Sequence, residues 1–194
     1  MFSCTTWSFL FIICFSNNFI IFYNQKINLL KANGSFSFGD IKYNFNKDAF
    51  GVLDWGRGTW TYSNTWYWAS LSGRYQGHNY GFNLGYGFGD TSNASENMFF
   101  YDNEAYKLDD VKFNIPLKDG KEDYLSPWTF TSTSGDINLT FTPLIDRYSN
   151  TNAIIIQSKQ HQVFGLFSGD IKINDKTYHF ENLLGFAEKV KNRW

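Results

Sequence analysis

The sequence predicts an all-β protein, either an antiparallel up-and-down β-barrel or one strongly curved sheet. Three observations lead there. Aromatic residues make up 21% of the 194 residues and charged residues only 18%, and aromatic side chains suit a pleated, half-buried surface. Apolar and polar residues alternate with period two in many short segments. Turn signals recur at roughly 8–12-residue spacing, the habit of sandwiches and barrels, in a chain with 16 Gly and 3 Pro. No amphipathic helix of three turns stands out. One domain is the default for this length, and residues 21–194 read as a single barrel-like unit.

Residues 1–20 are atypical. Trp7 to Tyr23 is strongly apolar around Ser16-Asn-Asn18. It has no basic stretch before the apolar run and no small-x-small cleavage site, so it makes a poor signal peptide. It is short for a membrane span and polar at its centre. A signal, core-strand material and an artefact of truncation stay open as readings, with core-strand material favoured. Integral membrane association is not expected. Both cysteines, Cys4 and Cys14, lie in this segment; a body without disulfides points to a reducing compartment, the cytoplasm.

The body alternates in order. Phe36 and Phe38 lead through Gly39-Asp40 into Ile41, Tyr43 and Phe45. Val111, Phe113, Ile115 and Leu117 follow, then Trp128 and Phe130. Ser134-Gly-Asp136 turns that strand into Ile137, Leu139 and Phe141, and Asn174-Asp175 reads as a hairpin tip. The strongest element is the aromatic hairpin from Trp66 to Gly89, turning at Gln76 to Asn79. Its return strand carries Tyr80, Phe82, Leu84, Tyr86 and Phe88 on one face and Gly81, Asn83, Gly85, Gly87 and Gly89 on the other. A face almost without side chains implies strong coiling or close approach of a backbone or a ligand. The last segment also alternates, placing Glu188 with Phe186 and Trp194. A strand there makes Glu188 an inward carboxylate; a helix is the rival reading.

A net charge of −1 gives no field to attract nucleic acid. No zinc helix, paired-cysteine motif, nucleophile elbow or phosphate loop is present, and neither a metal nor a cofactor is expected. Asp54 and Arg57, in a loop made supple by Gly56 and Gly58, are expected to pair and clamp it, with Trp55 as anchor. The functional alternative gives Arg57 an anionic head group at a cavity mouth. Asp90 and Glu96 flank a loop. A carboxyl among aromatics has its pKa raised and can act as general acid, and Trp66 and Trp68 could steady a cation. The catalytic candidates are therefore Glu96, Asp54 and Glu188. Arg57, Trp55, Trp66, Trp68, Asn83, Asp90 and His161 are candidate ligand contacts. His161 shares a strand face with Val163 and Phe167, where a histidine is usually a satisfied core residue.

Leu53-Asp-Trp-Gly-Arg-Gly58, Asn64-Thr-Trp-Tyr-Trp68, Gly81 to Ser92, Glu96-Asn-Met98, His161-Gln-Val-Phe-Gly165, Gly185-Phe-Ala-Glu-Lys189 and Arg193-Trp194 occur in that order. This set resembles the bacterial family catalogued as domain of unknown function 2804. The resemblance covers about Tyr23 to Trp194 and matches the C-terminal half of longer members, which implies a missing N-terminal half-domain as a partner. It further implies a distant likeness to calycin and lipocalin-like barrels. Two functions follow as expectations: a barrel binding a lipophilic small molecule, or a cofactor-free hydratase, cyclase or isomerase on a hydrophobic, isoprenoid-like substrate. The third reading is a packed domain without a ligand. A filled interior weakens both ligand readings, whereas carboxylates gathered at a cavity strengthen the enzymatic one.

Overall fold

The computed structural model describes residues 9–15, 20–58, 61–88 and 95–193, with side chains from residue 23 onward. Among them every regular element is a strand. In chain order these are β1 (Phe9–Phe15), β2 (Ile20–Lys31), β3 (Ser35–Phe38), β4 (Ile41–Asn44), β5 (Phe50–Gly58), β6 (Ser63–Tyr75), β7 (His78–Tyr86) and β8 (Met98–Tyr101). They continue with β9 (Glu104–Lys107), β10 (Val111–Asn114), β11 (Leu117–Lys118), β12 (Lys121–Glu122), β13 (Trp128–Ser132), β14 (Ile137–Ala153), β15 (Ile156–Ile173) and β16 (Lys176–Arg193). Nine of them form one antiparallel sheet in the order β10-β13-β14-β15-β16-β6-β7-β8-β9. Of the two architectures predicted, the strongly curved open sheet is the one observed.

Alternation accounts for the layering. Ala69 and Leu71 of β6, Phe82 and Leu84 of β7, Trp128 and Phe130 of β13, Leu139 and Phe141 of β14 and Ala187 of β16 all point to one buried face. Register shifts at Pro143/Ile145 and Phe167/Gly169 interrupt the long strands, and such bulges add bend and twist. The sheet curls until Phe113 of β10 lies 5.9 Å from Tyr67 and 5.4 Å from Tyr86. Side chains fill the concave interior: Phe82, Phe99, Trp128, Phe130, Phe141, Phe167 and Phe180 are all fully buried. Among the described residues, these rings occupy the concave face where a barrel would hold a ligand.

The aromatic hairpin forms as expected, with two corrections. Its turn is Gln76-Gly77, with φ of 49° and 88°, the geometry of a two-residue turn matched to strand twist. The return strand stops at Tyr86, since Gly87 has φ 85°; Gly89 lies outside the described residues. Val111 to Leu117 is also not one strand, because Ile115-Pro116 separates β10 from β11 and proline cannot donate to a ladder.

A second sheet, β1-β2-β5, packs through β2 and β5 on the other face of β6 and β7. The backbone of residues 9–15 pairs with β2, so this part of the apolar N-terminal segment is strand. Residues 16–19 lie outside the described residues. The β3–β4 hairpin extends from the β2–β5 pair, tied at its base by Ala32 N–H to the Ala49 carbonyl at 3.0 Å and Phe45 N–H to the Gly34 carbonyl at 2.9 Å. Its Phe36, Phe38, Ile41 and Tyr43 share one face, and Phe38 is 79% exposed.

Candidate functional site

The second face of the central strands carries the polar chemistry. On β6 it presents Trp66, Trp68, Ser70 and Ser72; on β7 the near-bare row Gly81, Asn83 and Gly85; on β16 Phe186 and Glu188. β2 lays Asn24, Lys26 and Asn28 along its strand as an alternating polar row. Asn28 Nδ2 donates to Ser70 Oγ at 2.8 Å, to the Phe82 carbonyl at 3.0 Å and to the Leu71 carbonyl at 3.1 Å. Leu29, at φ 59°, lies against Gly81, where a Cβ would stand 3.0 Å from its Cγ. The glycine face thus has the packing explanation, close approach of another strand.

Lys26 is 6% exposed. A buried ammonium needs partners, and this one has several. Asp54 Oδ2 lies 3.1 Å away, Glu96 Oε2 3.6 Å away, and the Trp68 ring centroid 3.5 Å below. Trp68 Nε1 donates to Asn83 Oδ1 at 2.7 Å, and Asn83 Nδ2 donates to the Glu96 carbonyl at 2.9 Å. Gly85 makes room for the Glu96 carboxylate, which any side chain at that position would overlap.

Glu188 is 4% exposed on this face. It accepts from Trp66 Nε1 at 3.0 Å, Gln162 Nε2 at 3.2 Å and Gln160 Nε2 at 3.4 Å. Burial pushes its pKa up, and these donors and the Lys26 charge only partly oppose that. The strand reading of the C-terminal segment is observed, but its faces are exchanged: Ala187 enters the core, and Glu188 is buried on the second face beside Trp66 rather than inside the curled sheet.

Beside this cluster lies a cleft of about 470 Å³ between the start of β5 and strands β15, β16 and β6. Phe50, Val52, Phe164, Leu184 and Phe186 supply its apolar surface, and Ser70 and Ser72 line it as well. Phe186 joins cleft to cluster, with its ring edge-to-face on Trp68 at 4.7 Å.

The sequence candidates separate accordingly. Glu96, Asp54, Trp68, Asn83, Trp66 and Glu188 gather on the second face. The expected Asp54–Arg57 pair is not formed, because residues 50–58 are a strand and positions three apart project to opposite faces. Asp54 turns to Lys26; Arg57 is exposed opposite Tyr23 in register. Trp55 shares the Arg57 side and meets the Tyr23 ring at 5.3 Å. Asp90 and Trp194 lie outside the described residues.

His161 is on the core face, away from this site. Its Nδ1 bonds Asp146 Oδ2 at 2.7 Å, and its ring stacks on Tyr124 at 3.6 Å. Tyr124 O–H in turn donates to Glu122, which pairs with Lys189 at 2.6 Å. This chain of contacts ties the β11–β12 hairpin across the end of the core. The residues that sequence reasoning missed are Lys26 and Asn28. Their signal was the row Asn24, Lys26, Asn28, polar at every second position inside an apolar strand.

Among the described residues no group of three or more His, Cys, Asp or Glu is placed to hold a metal ion, and no helix is long and apolar enough to cross a membrane. No curated protein matches the chain, and no solved structure does. The family described as domain of unknown function (DUF2804) matches residues 5–194. The chain, with its curved nine-stranded sheet and a second face assembled from Lys26, Glu96 and Glu188, therefore belongs to the DUF2804 family.

Proposed function

We infer that the protein binds a lipophilic small molecule on the second face of its sheet, in the cleft closed on one side by β5. The observation that carries this reading is the cleft itself. Its volume of about 470 Å³ is in the ordinary range for small-molecule sites, and its surface is chiefly apolar with a few convergent polar groups. The reading differs from a calycin-like one in where the ligand sits, since the concave side is packed with aromatic rings. Two measurements test it. Mass spectrometry of the protein purified from cells should find an enriched apolar compound, and the neutral dye Nile red should bind and be lost in Phe186→Asp. Equal dye binding by both proteins would remove the cleft as the site.

A second reading has one observation in its favour. Glu188 is buried, has a raised pKa and stands two residues from Phe186 on the same face. A protonated carboxyl so placed could protonate an isoprenoid alkene: its O–H bond breaks, a C–H bond forms, and water then adds to the cation and returns the proton. Incubation with isoprenoid alkenes in deuterium oxide should place solvent deuterium on carbon with the wild type and not with Glu188→Gln. No incorporation by the wild type leaves the protein a binder.

A further inference from the structure

The rim of the cleft carries charge that the apolar walls do not explain. Arg74 and Asp48 both line it. They are joined through one contact of 3.7 Å between Arg74 Nη1 and Asp48 Oδ1, with 39% and 41% of their side chains exposed. An ion pair that long and that wet contributes little. A guanidinium is built to donate two parallel N–H bonds to one carboxylate or phosphate, and this contact does not use that fork. Lys31 is exposed and stands directly opposite Phe50 in the β2–β5 register. Directly opposed residues share a sheet face, so Lys31 adds a second cation on the side of Phe50, a cleft residue. Asp102 also acts on Arg74 from outside the cleft, where it is already bonded to His78 at 2.7 Å; within the cleft lining Asp48 is the carboxylate that Arg74 meets.

We propose that the cleft takes a single-chain amphiphile with an anionic head group, a fatty carboxylate or the corresponding phosphate monoester. Its head sits on Arg74 in place of Asp48, and its chain lies along Phe50, Val52, Phe164 and Phe186. The proposal rests on the reading of the cleft as a lipophilic site and names the class of ligand for it. A neutral alcohol of equal chain length buries the same apolar surface but leaves the guanidinium with Asp48. The difference between anion and alcohol therefore isolates the head-group contact.

Binding of palmitate, hexadecyl phosphate and hexadecanol, measured by displacement of Nile red, tests this. At least one anion should bind about tenfold or more tightly than the alcohol, and the tighter anion identifies the head group. Arg74→Gln should lower the anion-to-alcohol affinity ratio severalfold, leaving the part that Lys31 supplies, and an unchanged circular dichroism spectrum shows the variant folded. Asp48→Asn, which removes the competing carboxylate, should tighten the anion. If alcohol and anions bind equally and neither variant changes their ratio, the head-group assignment is wrong while the cleft reading stands. If none of the three displaces the dye, and Phe186→Asp binds it as well as the wild type, the cleft reading falls and takes this proposal with it.

Discussion

Lys26 and Glu188 are the residues where burial and charge conflict most directly. Lys26, 6% exposed, has two carboxylates and an aromatic face where water would otherwise stand. Glu188 gains three hydrogen bonds but remains penalised by burial. Its folded pKa lies above its unfolded value, so the unfolded chain releases this proton first. The stability contributed at Glu188 is complete below the ordinary carboxylate range and is lost as pH rises through the raised folded pKa. Urea unfolding from about pH 4 to about pH 8 should show this decline in the wild type minus Glu188→Gln difference. A difference independent of pH would place the titration elsewhere. The glycines of β7 give a second residue-level prediction. Gly85→Ala must displace the Glu96 carboxylate or the Tyr67 carbonyl, whereas Gly81→Ala presses only on the Leu29 side chain. Overpacking of a rigid site costs about 1–3 kcal/mol. Chemical denaturation should therefore find Gly85→Ala the more destabilised, and the reverse order would reject this account of the bare face.

At the level of elements, strands differ in what they bury. β6, β7 and β16 have one face in the aromatic core and the other against β2 or the polar cluster, so they cannot be removed without exposing both. The β3–β4 hairpin is the opposite case. Its eight strand residues are all exposed, and its main contacts are internal, including the Phe36–Tyr43 stack at 5.0 Å. Replacing residues 35–44 by a short turn should change the unfolding free energy by less than about 1 kcal/mol. A larger loss would mean that its aromatic face is covered in solution. The β11–β12 hairpin is small as well, but the Lys189–Glu122 pair fastens it to β16. Burial alone would raise the Glu122 pKa, yet its bonds to Lys189 and Tyr124 hold it below the usual carboxylate range.

For the whole molecule, the aromatic core and the cleft proposed to bind a ligand lie on opposite faces of one sheet. The concave face is a continuous aromatic core in which Phe130 packs on Phe113, Trp128, Phe141 and Phe167. Truncating such a residue leaves a cavity, and Phe130→Ala should cost about 3–5 kcal/mol. Phe186 lies on the other face at the cleft and is only partly buried. Phe186→Ala should cost clearly less and should reduce Nile red binding, which Phe130→Ala should leave intact at temperatures where it is folded. Thermal melts and dye titrations on the two variants check this. Equal losses of stability would contradict the division of roles between the faces.

Much of this was legible in the order of residues. Period-two alternation placed Tyr80, Phe82 and Leu84 in the core and set Glu188 on the opposite side of β16 from Ala187, because a strand sends successive side chains to opposite faces. Gly39-Asp40 and Asn174-Asp175 marked hairpin tips because those residues tolerate or favour tight turns, and the turn after β6 was placed at Gln76 to Asn79, two residues longer than the Gln76-Gly77 turn that forms. The bare row on β7 signalled a close approach. What alternation cannot say is which element makes that approach. Asp54 and Arg57 looked like neighbours in a loop and proved to be opposite faces of a strand. Lys26 drew no notice in an apolar segment because its partners, Asp54, Glu96 and Trp68, are distant in sequence and meet it only when β2 crosses β6 and β7. The sequence by itself determined the all-β class, the central hairpin and the alternation that sorts side chains onto two faces. Only the tertiary structure decided that the curled side would fill with rings and that the carboxylates would gather on the other. Local periodicity acts over a few residues, while the burial and pairing of charge are settled between strands far apart in the chain.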